Sequence, residues 1–183
     1  MSRVAVIVID VQQMFFSGPS SAYRGGEVID GINRLTSAAR GANAPVIFVQ
    51  HESDADGPLA RGSDAWQLPA ALKREQTDAS IYKRVGDSFE NTPLREQLQQ
   101  NDIDSVLICG YASEFCVNAT ARRAELLGLR TTIVSDLHTT QDKLHLAADK
   151  IVEHQNFVWA NSSMSGKRVQ VRPLADILQT EFA

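Results

Sequence analysis

Only two cysteines, Cys109 and Cys116, occur in the 183 residues, too few for a disulfide framework or for paired zinc thiolates. Long apolar stretches are missing as well, since no run approaches the roughly 20 residues that a membrane span needs. Charge of neither sign dominates: 18 Lys and Arg against 22 Asp and Glu leave a net −4. That balance offers no basic field for nucleic acid and none for an anionic membrane surface. Repeats, low-complexity tracts and linker-like segments are also lacking. The chain therefore reads as a single domain over residues 1–183, long enough for a substantial core. Met1-Ser2-Arg3-Val4 leads straight into a strand without the layout of a secretory signal. With the thiols free, a reducing, cytoplasmic setting is the expectation.

What is present is a rhythm. Four aliphatic runs, Val4–Ile9, Val46–Val49, Val106–Cys109 and Thr131–Val134, are continuous, as strands covered on both faces must be. Phe157-Val158-Trp159 is a weaker fifth strand and Ser80–Lys83 a short sixth candidate. Between them fall helical patterns. One runs through Val28, Ile32 and Leu35 to Gly41, and another through Val117, Ala121 and Ala124 to Gly128. Thr140 and Asp142 suggest the start of a third that continues through Leu144, Ala148 and Ile151, while Pro93 and Pro173 open two short ones. Residues 51–79 break the rhythm as a long loop with one short helix around Trp66 to Leu72. The alternation predicts an α/β fold: a three-layer α/β/α sandwich around a mostly parallel, roughly six-stranded, Rossmann-like sheet.

In such sheets ligands bind beyond the carboxyl ends of the strands. Asp10 ends the first strand, Lys83 ends the third, and Gly110-Tyr111-Ala112-Ser113-Glu114-Phe115-Cys116 follows the fourth. The last segment places the Cys116 thiol at a helix start, where unpaired N–H groups favour the thiolate, so a thiol ionised near neutral pH is expected. Three capable groups meet at one edge.

These residues resemble the isochorismatase-like cysteine hydrolases, which include nicotinamidases, N-carbamoylsarcosine amidohydrolases and ureidoacrylate hydrolases. The resemblance rests on Ile9-Asp10-Val11-Gln12 with Phe15, on Tyr82-Lys83 followed by Ser88-Phe89 and Thr92-x-Leu94, and on Gly110 through Thr120-Ala121. It implies a catalytic triad of Asp10, Lys83 and Cys116 that cleaves a C–N bond of a small amide, carbamoyl or ureido compound. It further implies a cis peptide between Tyr111 and Ala112, and an oxyanion hole formed by the N–H groups of Ala112 and Cys116. Phe15, Trp66 and Tyr111 would line the substrate pocket. The expected partner is a small molecule, with no cofactor, no metal, and assembly into a homo-oligomer.

Other residues read more plainly. Cys109 lies inside a strand and belongs to the core. Glu114 suits the first turn of a helix electrostatically, and Gln12 orients the turn at Asp10. The metal-binding nicotinamidases carry Asp-x-His after the second strand and another histidine beyond the tryptophan. Here His51-Glu52-Ser53-Asp54 and Gln67-Leu68-Pro69-Ala70 stand instead, so that site is not expected. Glu52 and Asp54 read as solvated loop carboxylates, and His51, His138, His145 and His154 as groups outside the chemistry. Two alternatives to C–N hydrolysis stay open: cleavage of a vinyl ether, for which the resemblance would lead one to expect glycine in place of Cys116, and a non-catalytic scaffold.

Overall fold

The computed structural model describes residues 3–19, 21–166 and 168–182. Its centre is a six-stranded, all-parallel sheet. β1 (Val4–Ile9) lies between β2 (Val46–His51) and β4 (Ser105–Tyr111), with β3 (Ala79–Lys83) outside β2. Beyond β4 come β5 (Arg130–Thr139) and then β6 (Gln170–Arg172). Residues 5–9 of β1 are at most 1% exposed, as a strand covered on both faces should be. Each buried Val or Ile there contributes roughly 1.5–3 kcal/mol relative to exposure.

Helices fill both faces. α1 (Gln13–Phe16) and α2 (Gly25–Gly41) follow β1, and α3 (Leu94–Gln100) joins β3 to β4. α4 (Asn118–Leu126) joins β4 to β5, α5 (Ala148–Asn161) joins β5 to β6, and α6 (Leu174–Thr180) closes the chain. Val28, Ile32 and Leu35 of α2 pack with Leu174 and Ile177 of α6 on the face lined by Val6, Val8 and Phe48. Leu94, Ala121, Ala124 and Trp159 cover the other face, lined by Ile7, Ile47, Ile81 and Ile108. The expected three-layer sandwich is the observed one.

Four local expectations need correction. Phe157–Trp159 is not a strand but the last part of α5. The burial of Ile151, Gln155 and Trp159 at four-residue spacing is the helical signature that a β-favouring run of Phe, Val and Trp concealed. The sixth strand is β6, inside the stretch from Ser162 to Arg172 (of which Lys167 lies outside the described residues). It pairs in parallel with β5. α5 starts at Ala148 and not near Thr140. Residues 143–146 form an isolated antiparallel bridge, and Asp142 Oδ1 accepts from the Ala148 N–H at 2.8 Å. No helix forms from Trp66 to Leu72, because other groups claim the local carbonyls. Ala65 O and Gln67 O accept from the N–H groups of Met14 and Gln13, and Trp66 O accepts from the side chains of Gln12 and Gln50.

The buried Glu125 fastens α4 to the connection before β6. Its Oε1 accepts from the Met164 N–H at 2.6 Å and the Ser165 N–H at 3.1 Å, and its Oε2 meets Arg122 at 3.2 Å. Among the described residues no helix is long and apolar enough to cross a membrane.

Candidate active site

Asp10 leaves β1 in the left-handed region, at φ 50°. Asp tolerates that conformation better than most residues. Its N–H still donates to Val49 O at 2.8 Å, so the strand ends cleanly as the side chain turns across the sheet edge. There Oδ2 accepts from Lys83 Nζ at 2.8 Å, with both residues at most 2% exposed. A buried ion pair must offset its desolvation with well-placed hydrogen bonds. Lys83 achieves this fully: its other two protons face His51 Nδ1 at 3.3 Å and Val85 O at 3.1 Å. Asp10 is satisfied on one oxygen only, since Oδ1 is buried without a partner.

The third group arrives from β4. The Tyr111–Ala112 peptide is cis, and residues 113–117 form one π-helical turn that runs directly into α4. Ala112 O closes this turn, accepting from the N–H groups of Phe115 at 3.1 Å and Val117 at 3.2 Å. Cys116, half-buried, rides on the turn. Donor atoms of Asp10, His51 and Cys116 lie within 4.8 Å of one another. The orphaned oxygen therefore belongs to the carboxylate that faces the thiol.

Electrostatics here correct the expectation of an ionised cysteine. Burial first, and then the negative charge of Asp10, push the Cys116 thiol up to about 12, only partly opposed by Lys83. A helix start is the weaker influence. Burial and the carboxylate thus favour the protonated thiol. The same three ligand types do not suit a metal ion, because Lys83 already donates to Asp10 Oδ2 and His51 Nδ1 and would place an ammonium beside any cation.

Behind the turn lies a polar chain that the sequence did not reveal. Asn156 Nδ2 donates to Ser135 O at 3.0 Å, which leaves Asn156 Oδ1 to accept from His138 Nε2 at 2.9 Å. His138 Nδ1 then accepts from Ser113 Oγ at 2.8 Å. Trp159 packs edge-on to the His138 ring and donates to Asn118 Oδ1 at 2.9 Å. α5 thus braces both ends of the nucleophile turn. His138, 2% exposed, stabilises this turn from within the core.

Burial lowers the His138 pKa to about 4. Below the ordinary value of 6.5 the unfolded chain takes up a proton that the folded one refuses until about pH 4. The His138 contribution to stability should therefore decline as pH falls through that window and level off beneath it, by about 3 kcal/mol in all. Urea unfolding at a series of pH values checks this. The slope attributed to His138 should vanish in His138→Gln, and a variant that keeps the full slope would reject the assignment.

The other expected residues fall into three groups. Phe15 stacks on Tyr111 with ring centroids 4.4 Å apart, and Phe16 meets the same ring edge-on. The Tyr111 hydroxyl is pushed up to about 12 by burial, with Glu114, Cys116 and Asp10 adding to it. Trp66 leans on Tyr82 at 5.6 Å, and its indole N–H is buried without a hydrogen-bond partner. Its link to the site is the carbonyl held by Gln12, whose amide also grips both the N–H and the C=O of His51.

Glu114 accepts from Thr140 and pairs with Lys143 at 3.1 Å. Arg84 holds Asp54 and Glu52, at 2.5 and 3.5 Å. His145 and His154 are exposed, whereas Cys109 is fully buried and its thiol is driven above the ordinary range. A hollow of about 700 Å³ opens at the other end of β2 and β3, but its Arg40 is engaged by Asp78 and no cysteine, serine or histidine lines it. Asp10, Lys83, His51 and Cys116 come together at the C-terminal edge of the sheet.

Comparison with known proteins agrees with this geometry. Residues 4–161 match the model of the isochorismatase domain. The isochorismatase-family protein YecD of Escherichia coli O157:H7 is 33% identical over 148 residues, covering 72% of this chain and 77% of that protein. A streptothricin hydrolase of Streptomyces noursei is 32% identical over 138 residues, covering 75% of this chain and 55% of the hydrolase. The chain thus spans about half the length of the streptothricin hydrolases it matches. Among solved structures, an isochorismatase from Pseudomonas putida KT2440 superposes with a TM-score of 0.85 at 30% identity, over 95% of this chain and 89% of that one. A cysteine hydrolase from Pseudomonas syringae shares the fold, with a TM-score of 0.86 at 22% identity over 97% and 91% of the two chains.

Proposed function

We propose that this chain, which belongs to the isochorismatase family, cleaves a C–N bond of a small amide, carbamoyl or ureido compound through an acyl-enzyme on Cys116. One observation carries the reading: Asp10 gives one oxygen to Lys83 and keeps the other buried without a hydrogen-bond partner, in a carboxylate that lies close to a thiol held well above its ordinary pKa.

The steps follow from that asymmetry. As Cys116 Sγ attacks the substrate carbonyl, Asp10 Oδ1 takes the thiol proton. Lys83 on Oδ2 keeps the proton on the inner oxygen and stabilises the carboxylate that must receive it. The N–H groups of Ala112 and Cys116 hold the oxyanion, a task for which each donor is typically worth a hundredfold or more in rate. Asp10 then passes the proton to the leaving nitrogen, the C–N bond breaks, and a thioester remains. Water, deprotonated by the same oxygen, attacks the thioester; the C–S bond breaks and the thiol regains its proton. Tyr111 and Phe15 form an aromatic wall suited to a flat, uncharged acyl group. Similarity to streptothricin hydrolases supports hydrolysis as the class of reaction.

The test is nitrogen release, as ammonia or free amine, from a panel of primary amides, carbamoyl compounds, ureides and streptothricin, with and without chelator. Turnover on a member of that panel should survive the chelator. It should fall by roughly 10²–10⁴-fold in Asp10→Asn, as expected for loss of general acid–base catalysis. An Asp10→Asn enzyme that retains wild-type turnover would remove the proton shuttle from the mechanism.

A further inference from the structure

His51 ends β2 directly across the register from Lys83, and its Nδ1 stands 3.3 Å from the lysine Nζ. An ammonium has three protons to give and no lone pair with which to accept. Nδ1 must therefore accept, so the ring is neutral and carries its proton on Nε2. Asp10 Oδ2 and Val85 O take the other two lysine protons. His51 thus supplies the third point that fixes the ammonium in an almost fully buried position. Without it, one buried N–H would lack a partner, and the lysine could tilt away from the carboxylate to find one.

We propose that His51 is a positioning residue: its neutral imidazole holds Lys83 against Asp10 Oδ2, which keeps the Asp10 carboxylate in place beside Cys116. Removing or protonating His51 releases that alignment and slows the thiol. The inference rests on the proposed triad. The charged and titratable groups facing the ring are Lys83 from β3, Asp10 beyond β1, Cys116 on the π-helical turn and Glu52 next along its own strand. Burial and then the Lys83 cation hold the imidazole below its ordinary pKa, against the pull of Asp10 and Glu52. The ring is accordingly neutral at pH 7 and charges only in more acid solution. An imidazolium would turn a hydrogen-bond acceptor into a second cation beside Lys83.

The rate of Cys116 alkylation by iodoacetamide, read by intact mass across the acid and neutral range, tests this without knowledge of the substrate. His51→Leu should slow alkylation about tenfold at neutral pH, a modest share of what acid–base machinery contributes. His51→Asn should restore the rate to within about threefold, because its Oδ1 can stand where Nδ1 stood and does not titrate. Its acid limb should show one titrating group fewer. A leucine variant that reacts at the wild-type rate overturns the proposal. So does an asparagine variant that melts like wild type yet reacts like leucine. Should the leucine variant fail to fold, an acid limb unchanged in His51→Asn overturns it equally. Lys83→Met and Asp10→Asn are measured alongside. If neither alters the thiol, the triad itself fails. If both do and His51→Leu does not, only the role of His51 is rejected.

Discussion

Cys116→Ala is expected to lower turnover by roughly 10⁴–10⁶-fold, while the protein still folds. The size of the loss follows from how the groups depend on one another. In the proposed mechanism the Asp10 carboxylate and the backbone donors at Ala112 and Cys116 act only on a carbonyl that the sulfur has attacked. Without the sulfur, Asp10 retains a proton-accepting oxygen and Lys83 retains its pairing, yet neither forms the covalent intermediate. Folding is spared because the side chain is half-buried on a turn held by others, through the Ala112 carbonyl, His138 with Ser113, and Trp159 with Asn118. Two measurements check this: turnover on the substrate the panel identifies, and the mass of enzyme quenched during turnover. Wild type should carry the acyl group and Cys116→Ala should not. Substantial turnover by the alanine variant would remove the covalent mechanism and leave Asp10-activated water in its place.

Which parts of this architecture the sequence displays depends on what each residue must bury. β1, β2 and β4 were legible because strands covered on both faces run almost wholly apolar, whereas β5 showed only as Thr131–Val134, since its continuation through Ser135, Asp136 and His138 is too polar to stand out. β6 was not legible, since an edge strand of three residues, Gln170, Val171 and Arg172, has no such constraint and pairs on one side only. Phe157, Val158 and Trp159 carry β propensity, but only Trp159 of the three is buried, and its helical spacing from Ile151 and Gln155 outweighs local preference. Asp10, Lys83 and Cys116 could be placed at one edge from strand order alone. His51 could not, because its role depends on the register that sets it across from Lys83, and parallel register is written in no local motif. The state of Cys116 was misjudged for a related reason. A helix start can be read from sequence, whereas the burial and the nearby Asp10 that outweigh it are consequences of tertiary packing.

Gly110→Ala is the substitution expected to damage fold and site together. Gly110 has φ 120°, and a Cβ built there would lie 2.0 Å from Ile9 O and 2.7 Å from Ile9 N. Both are backbone atoms of the adjacent central strand, which cannot swing aside as a flexible side chain can. Ile9 pairs with Gly110 and immediately precedes Asp10, and Tyr111 begins the path to Cys116. Relieving the clash must spread β1 from β4 where the carboxylate and the thiol are brought together. Gly128→Ala is the control. Gly128 also has positive φ, 84°, but has no neighbouring atom within 4 Å of the built Cβ. Its cost should be the conformational one alone, about 1–2 kcal/mol. Gly110→Ala should exceed about 4 kcal/mol, the range reserved for a specific structural failure. Any folded fraction should lose about a hundredfold in turnover from displacement of the reacting groups. Urea unfolding of the two variants separates the terms. Equal costs would mean that only φ matters, and that close approach of β1 and β4 is not what brings Asp10 to Cys116.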